Sequence, residues 1–261
     1  MKKDVVVGLG EIGLPILKLF SKTEKIVGYD ADKKLMNQTK FNKYESYQTY
    51  FLHIAIPVTK KFDSNILQIN KKFQPECIVI HSTIPPGTTE RIQKKINCPL
   101  IYSATRGVHK RMLKDLRRYT KFFSISKSAP KKQWAINTYS KKLKNCNVKT
   151  KKMSKPETLE LAKILCDTSY LGWLINYSQI TNVIAKNFNV NYDEMWTFSD
   201  EIHKNLGNRP KMYPGYIGGH CVIPNLELIN NKTLNLIKEM NTSYTKKVKN
   251  VKSINKKYLK T

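Results

Sequence analysis

One cysteine of this chain lies behind two glycines, in the stretch Gly215-Tyr216-Ile217-Gly218-Gly219-His220-Cys221-Val222-Ile223-Pro224-Asn225. A thiolate is a strong nucleophile, and Gly218 and Gly219 let backbone donors and a substrate approach it closely. His220 beside it either lowers the thiol pKa or faces outward. The competing reading is a buried structural thiol, since free cysteines are among the most buried residues. The Gly-Gly pair and Pro224 describe a loop and favour catalysis. A second group, Gly8-Leu9-Gly10-Glu11-Ile12-Gly13, follows the apolar run Val5-Val6-Val7 and opens an apolar-periodic segment. Asp30 ends the next apolar run, 22 residues after Gly8. Strand, GxGxxG, helix and a distal acid together form a dinucleotide fingerprint. Gly8 permits the tight turn, Gly10 lets backbone approach a pyrophosphate, and Gly13 lets the helix pack against the sheet. Asp30 is placed to accept from ribose hydroxyls and to repel a 2′-phosphate, which favours NAD over NADP; Lys33 and Lys34 soften that preference.

A third loop, His81-Ser82-Thr83-Ile84-Pro85-Pro86-Gly87-Thr88-Thr89, follows the fourth apolar run. It reads as a β-turn with a Thr N-cap, as a ligand-facing loop at the carboxyl edge of a sheet, or as both. The cofactor set is thus Gly8, Leu9, Gly10, Glu11, Ile12, Gly13, Asp30, Pro57, Ser82 and Thr83.

These residues need a scaffold, and the first half of the chain supplies its rhythm. Short apolar runs at residues 5–7, 26–29, 51–56, 77–81, 100–102 and 122–125 alternate with helical patterns, as in a parallel sheet with crossover helices. Near Pro156 the texture changes, and residues 156–187 carry apolar side chains at helical spacing without a further proline. One helix of about thirty residues is expected there, as the spine of a second domain or a dimer interface. Shorter helices are expected at 192–205 and 232–240, with a Gly/Pro-rich loop at 207–225. The expected class is α/β: a Rossmann-type doubly wound parallel sheet at 1–152, a smaller all-helical domain at 153–250 and a basic tail at 251–261.

Composition narrows the rest. The formal charge of +28 suggests a polyanion, but only six of the 47 basic residues are arginine and the lysines spread over the whole length. Solvated lysine faces are the preferred reading over a nucleic-acid patch. Residues 110–121 form a denser basic stretch that suits phosphates. Five cysteines without a CxxC pair or metal-ligand spacing fit reduced thiols, with no zinc and no disulfide framework. No run of about 18 apolar residues spans a bilayer, and Asp4 and Glu11 argue against an N-terminal signal peptide. A cytoplasmic protein without membrane contact is expected.

The motifs GLGEIGLP, Asp30, STIPPGTTERI, ELAKILCDT and GYIGGHCVIP, in this order, resemble the UDP-glucose/GDP-mannose dehydrogenase family. Its members oxidise a nucleotide sugar to its uronic acid with two NAD. The resemblance covers about residues 1–245 and is greatest to the N-acetylmannosaminuronate-forming branch. It implies a role in polysaccharide biosynthesis, a homodimer built on the 156–187 helix, and a short form without the family's C-terminal nucleotide-binding domain. It also implies that Cys221 captures an aldehyde as a thiohemiacetal and then a thioester. Lys163 matches the lysine that stabilises the oxyanion. Asp167 and Asn225 exchange the amide and carboxylate found in relatives. Thr105 stands where relatives carry an acid, so His109 is the alternative base, or a solvated histidine. Arg106 is a candidate for a substrate phosphate or carboxylate, alongside Gly218, Gly219 and His220. Two other readings stay open: a two-electron dehydrogenase or reductase of a smaller hydroxy substrate, and a non-catalytic NAD-binding module.

Overall fold

The computed structural model describes residues 1–206, 214–218 and 222–247. The chain divides into two compact units, Met1–Lys163 and Ile164–Thr261.

The first unit is built on a seven-stranded sheet. Its strands are β1 (Lys2–Val7), β2 (Ile26–Tyr29), β3 (Gln48–Ile54), β4 (Cys77–Ile80), β5 (Leu100–Tyr102), β6 (Lys121–Ile125) and β7 (Thr150–Lys152), in the order β2-β1-β3-β4-β5-β6-β7. Val5, Val6 and Val7 are all buried because β1 is covered on both faces, which is why the strand reads as a continuous apolar run. One face carries Val6, Phe51, Val79, Ile101 and Phe123 under α1 (Gly13–Phe20). The opposite face carries Val5, Leu52, Ile54, Ile78 and Ile80. There α2 (Gln38–Lys43), α3 (Phe62–Phe73) and α4 (Thr88–Gln93) follow in the chain, with Phe62, Ile66 and Ile92 in that core. Then α5 (Met112–Arg118) and α6 (Lys132–Asn145) join α1, while α7 (Pro156–Ala162) adds Leu159 to the α3/α4 side. Each fully buried Ile or Phe contributes about 1.5–3 kcal/mol through water-excluded area.

Two sequence expectations change here. The sheet is not wholly parallel: β6 runs antiparallel to β5, with Ile101 opposite Ile125 and Tyr102 opposite Ser124. An apolar run such as Phe123 to Ile125 looks the same in either direction, so its pattern carries no orientation. β7 was missed because Thr-Lys-Lys has no apolar residue; its lysines are exposed at the edge, where charge discourages further strand pairing.

A line of buried polar groups crosses the α1 side of the sheet. Lys142 Nζ lies 2.7 Å from both Asp4 Oδ2 and Glu24 Oε2, and His53 Nδ1 lies 3.0 Å from His81 Nε2. His81 Nδ1 is 3.2 Å from the Ser103 carbonyl. That oxygen can only accept, so His81 Nδ1 carries the proton and His53 Nδ1 donates to His81 Nε2. His53 Nε2 is left without a donor, 4.0 Å from Asp4. Burial pushes both imidazole pKa values down, and the Lys121 charge adds to this at His81.

The second unit starts in the wide-turn π segment Lys163–Ser169, which separates α7 from α8 (Tyr170–Asn187). The sequence predicted a regular α-helix over 156–187. Polar residues 167–169 interrupt the apolar stripe, and within the wider turn Ser169 Oγ donates to the Ile164 carbonyl five residues back at 2.8 Å. Beyond lie α9 (Tyr192–Thr197), α10 (Asp200–Leu206), α11 (Val222–Leu226) and α12 (Lys232–Lys247). Ile217, Val222, Leu226, Leu234 and Ile237 form this unit's core, and a Cβ on Gly172 would stand 3.0 Å from Val222.

The histidine chain generates a stability prediction. Both groups have folded pKa values below the unfolded value of about 6.5, so their contribution is complete above that pH and is lost as pH falls below it. Urea unfolding should show lower stability at pH 5.5 than at pH 7.5, the loss setting in as pH falls below about 6.5. The double variant His53→Leu/His81→Leu should flatten that dependence; an equally steep one would assign the acid lability elsewhere.

Candidate functional site

The glycine loop lies at the carboxyl end of β1, where the chain turns to β2 on one side and later to β3 on the other. Ligands of open α/β sheets bind in the crevice at such a reversal. Gly8 has φ +88°, and a Cβ there would meet the Ala55 carbonyl at 2.5 Å. At Gly13 a Cβ would fall 1.6 Å from the Gly8 carbonyl oxygen, so α1 can start here only with glycine. Gly10 differs: a Cβ would find open space, so its role is not internal packing. The N-terminus of α1 has no side-chain cap; the Leu14 N–H bonds the Gly10 carbonyl at 3.1 Å and Pro15 has no N–H, so in the first turn the Gly13 N–H is the donor left for a ligand.

Asp30 is held against this loop. Its Oδ2 accepts from the Leu9 N–H at 2.6 Å and its Oδ1 from the Asp32 N–H at 2.9 Å. Each carboxylate oxygen retains a second acceptor site for a hydroxyl. On the β3 side, Ser82 Oγ donates to the Ile56 carbonyl at 2.6 Å, joining the turn that carries Pro57 to the loop that carries Thr83. Thus all ten residues of the expected cofactor set gather at the carboxyl ends of β1 to β4. Pro57 is exposed, and Ser82 and Thr83 are half-buried.

The loop after β4 is stabilised by a residue the sequence reading missed. The N-cap of α4 is Gly87, at φ +83°, and no side chain of its own caps it. Instead Glu160 of α7, fully buried, accepts from the Gly87 N–H at 2.6 Å, the Thr89 N–H at 2.9 Å and Thr89 Oγ1 at 2.6 Å. Burial raises the Glu160 pKa while these donors oppose the rise. An acid inside the apolar run Leu159-Glu160-Leu161 was the available signal.

After β5, Thr105 is buried, and its Oγ1 lies 2.9 Å from Lys121 Nζ. Arg106 donates to the Thr120 carbonyl at 2.9 Å and lies 4.9 Å over the Phe122 ring. His109 Nδ1 sits 2.7 Å from Glu11 Oε2, which attaches this loop to the glycine loop. The basic residues Lys110, Arg111, Lys114 and Arg117 line a groove of about 500 Å³ against Leu14, Pro15 and Lys18.

In the second unit, Asp167 is half-buried in the π segment, and Asn225 is half-buried in α11. Lys163, the last residue of the first unit, is half-buried at the start of the same π segment. Gly219, His220 and Cys221 lie outside the described residues, as do the basic residues beyond 247. The stem leading to them is described. Asn241 Oδ1 accepts from the Ile217 N–H at 2.8 Å, and its Nδ2 donates to the Ile217 carbonyl at 3.1 Å. Gln179 Nε2 donates to the Gly215 carbonyl at 2.7 Å and to Asn241 Oδ1 at 3.2 Å, and Asn176 Nδ2 donates to Gln179 Oε1 at 2.8 Å. On the far side, Val222 and Leu226 are buried in the core. Both ends of the three-residue segment are therefore anchored.

No protein-family model matches the sequence, and no curated protein does. The fold, however, matches solved structures. A UDP-D-ManNAc dehydrogenase from Pyrococcus horikoshii aligns with a TM-score of 0.74 at 19% identity, over 94% of this chain and 69% of that one. A UDP-N-acetyl-mannosamine dehydrogenase from Staphylococcus aureus gives 0.67 at 20% identity, over 94% and 68%. A UDP-glucose dehydrogenase from Pyrobaculum islandicum gives 0.66 at 15% identity, over 98% and 68%. At such identities the likeness is one of fold.

Glu160 offers a direct test of how the loop is held. Glu160→Ala leaves three donors without their acceptor and should cost about 2–3 kcal/mol in urea unfolding, whereas a surface change such as Glu157→Ala should cost under about 0.5 kcal/mol.

Proposed function

We propose that this chain is an NAD-dependent oxidoreductase that oxidises a CH–OH group of a nucleotide sugar, a UDP-sugar, to the uronic acid. The observation that carries the reading is the loop formed by Gly8, Gly10 and Gly13 with Asp30 against Leu9, at the reversal of strand order, in a fold matching that of solved nucleotide-sugar dehydrogenases. The residues fit a dinucleotide: open space faces Gly10, the Gly13 N–H at the uncapped start of α1 suits a pyrophosphate oxygen, and Asp30 has free acceptor sites for ribose hydroxyls. NAD, when bound, accepts the hydride.

The remaining steps belong to the chain's own groups. The Cys221 thiolate adds to the aldehyde carbon, holding it as a thiohemiacetal, and the second oxidation gives a thioester. Water then breaks the C–S bond, releasing the acid and the thiolate. Lys163 offers its ammonium to the developing oxyanion, while Asp167 and Asn225 supply one carboxylate and one amide. Arg106 and the glycines at 218 and 219 are the proposed substrate contacts. A cytoplasmic location accords with the free thiols Cys77, Cys98, Cys146 and Cys166. Among the described residues no helix is long and apolar enough to cross a membrane.

A homodimer belongs to this reading. Tyr170, Tyr177, Ile184 and Phe188 of the α8 region are exposed at helical spacing, an apolar stripe that suits a second copy of the same helix.

Two outcomes test the proposal. With NAD and a panel of UDP-sugars, the protein should form two NADH per sugar consumed; Cys221→Ser should stop acid formation and Asp30→Ala should weaken NAD binding at least about tenfold while narrowing its margin over NADP. One NADH per substrate would instead indicate a two-electron dehydrogenase, and none an NAD-binding module. By light scattering the chain should be a dimer, and Tyr177→Lys/Ile184→Lys a folded monomer.

A further inference from the structure

The antiparallel turn from β5 to β6 brings the start of β6 to the carboxyl end of β5, the edge at which ligands of such sheets bind. Lys121 stands there, pointing its amine inward. Its Nζ lies 3.1 Å from the Ala104 carbonyl and 2.9 Å from Thr105 Oγ1. The carbonyl only accepts, so it takes one N–H in either charge state. The hydroxyl both donates and accepts, so its bond to Nζ reverses with the charge: an ammonium donates to Oγ1, and a neutral amine accepts from it.

We propose that Thr105 and Lys121 form a proton relay for the oxidation step, resting on the dehydrogenase reading given above. The substrate O–H bond breaks, and its proton passes to Thr105 Oγ1. The Thr105 hydroxyl proton passes to the Lys121 lone pair, leaving an ammonium. The C–H hydride leaves to the bound dinucleotide, and a carbonyl remains. The ammonium returns its proton by the same route when product departs. In this relay Thr105 is the member that meets substrate, and Lys121, equally buried with 6% of its surface accessible, acts through it as a positioning and proton-storing group.

The surroundings suit an amine that changes charge near neutrality. Burial, then the charges of Lys163 and Arg106, lower the Lys121 pKa to about 7. On the neighbouring elements, the Glu160 carboxylate of α7 is engaged by Gly87 and Thr89, and Glu157 is on the same helix. Lys149 and Lys151, at β7, are exposed, and His81 and His53 on the other flank are neutral groups whose own pKa values the Lys121 charge lowers. Among the described residues no carboxylate forms an ion pair with the amine to hold it charged. A lysine serving only to bond the Ala104 carbonyl would give no reason for its second partner to be a hydroxyl.

The test is the pH profile of NADH formation from the UDP-sugar panel between pH 5.5 and 9. In the native chain kcat should rise through about pH 7 to a plateau, as a base with that pKa loses its proton. Lys121→Met and Thr105→Val should each lower the plateau about 100-fold or more and abolish the limb near 7, and Thr105→Ser should retain both within a few-fold. A limb near 7 that persists in either Lys121→Met or Thr105→Val overturns the relay. If Lys121→Met fails to fold by circular dichroism, the Thr105→Val and Thr105→Ser pair decides alone. Absence of NADH from every sugar with the native chain is a different failure: it overturns the dehydrogenase reading and the relay with it.

Discussion

The contact on which the first unit depends is the approach of α1 to the turn after β1. With 1.6 Å between the Gly8 carbonyl oxygen and the position a Gly13 Cβ would occupy, no other residue starts this helix in this place. The constraint propagates in two directions. On one side Gly8 lies against Ala55, which fixes the end of β3 beside the end of β1; on the other, the Leu9 N–H bonds Asp30 at the end of β2. Three strand ends are thereby held around one loop, and the same closeness starts α1 at the reversal of strand order. Packing and the placement of the glycine loop follow from one steric fact.

Beneath that loop the sheet interior holds more polarity than an apolar core requires. Asp4, Lys142 and Glu24 make a largely buried ion cluster whose members each lose hydration, and such clusters contribute little net stability once desolvation is counted. Their effect is directional. Asp4 Oδ1 also accepts from the Phe51 N–H at 3.1 Å, at the place where the β1/β3 register shifts between Lys3 and Val5. An apolar side chain would fill the space without serving that N–H. The carboxylate thus supports an irregularity in the central strand pair, and Lys142 from α6 compensates its charge.

What the sequence discloses depends on whether a signal is local. Gly8, Gly10, Gly13 and Asp30 are legible because their meaning rests on spacing within one βαβ unit. The six apolar strands were legible too, since burial on both faces writes itself as a run of β-branched residues. Lys121 was not: in sequence it is one lysine among many, and only the antiparallel pairing of β6 distinguishes it by putting its amine on Thr105. Glu160 was hidden similarly, because its partners Gly87 and Thr89 lie some seventy residues earlier. The π segment escaped because apolar spacing records which side of a helix is buried and not the width of its turns. Sequence order places residues near a site; long-range partners decide what they do there.

The stem before Gly219 shows the same logic in the second unit. Residues 214–218 have neither helix nor ladder to satisfy their backbone, and Ile217 is buried, so its N–H and carbonyl each need a partner. Asn241 provides both, with a geometry that only a planar amide offers. It occupies a core position of α12, in step with Leu234, Ile237 and Tyr244, where a leucine would bury more apolar area. A leucine would also leave two buried backbone groups unpaired, costing about 1–3 kcal/mol each. Gln179 and Asn176 then hold the Asn241 amide in one orientation, so that an extended segment inherits the rigidity of two helices. The buried amides thereby tie residues 215–217 to α8 and α12 without a helix or ladder of their own.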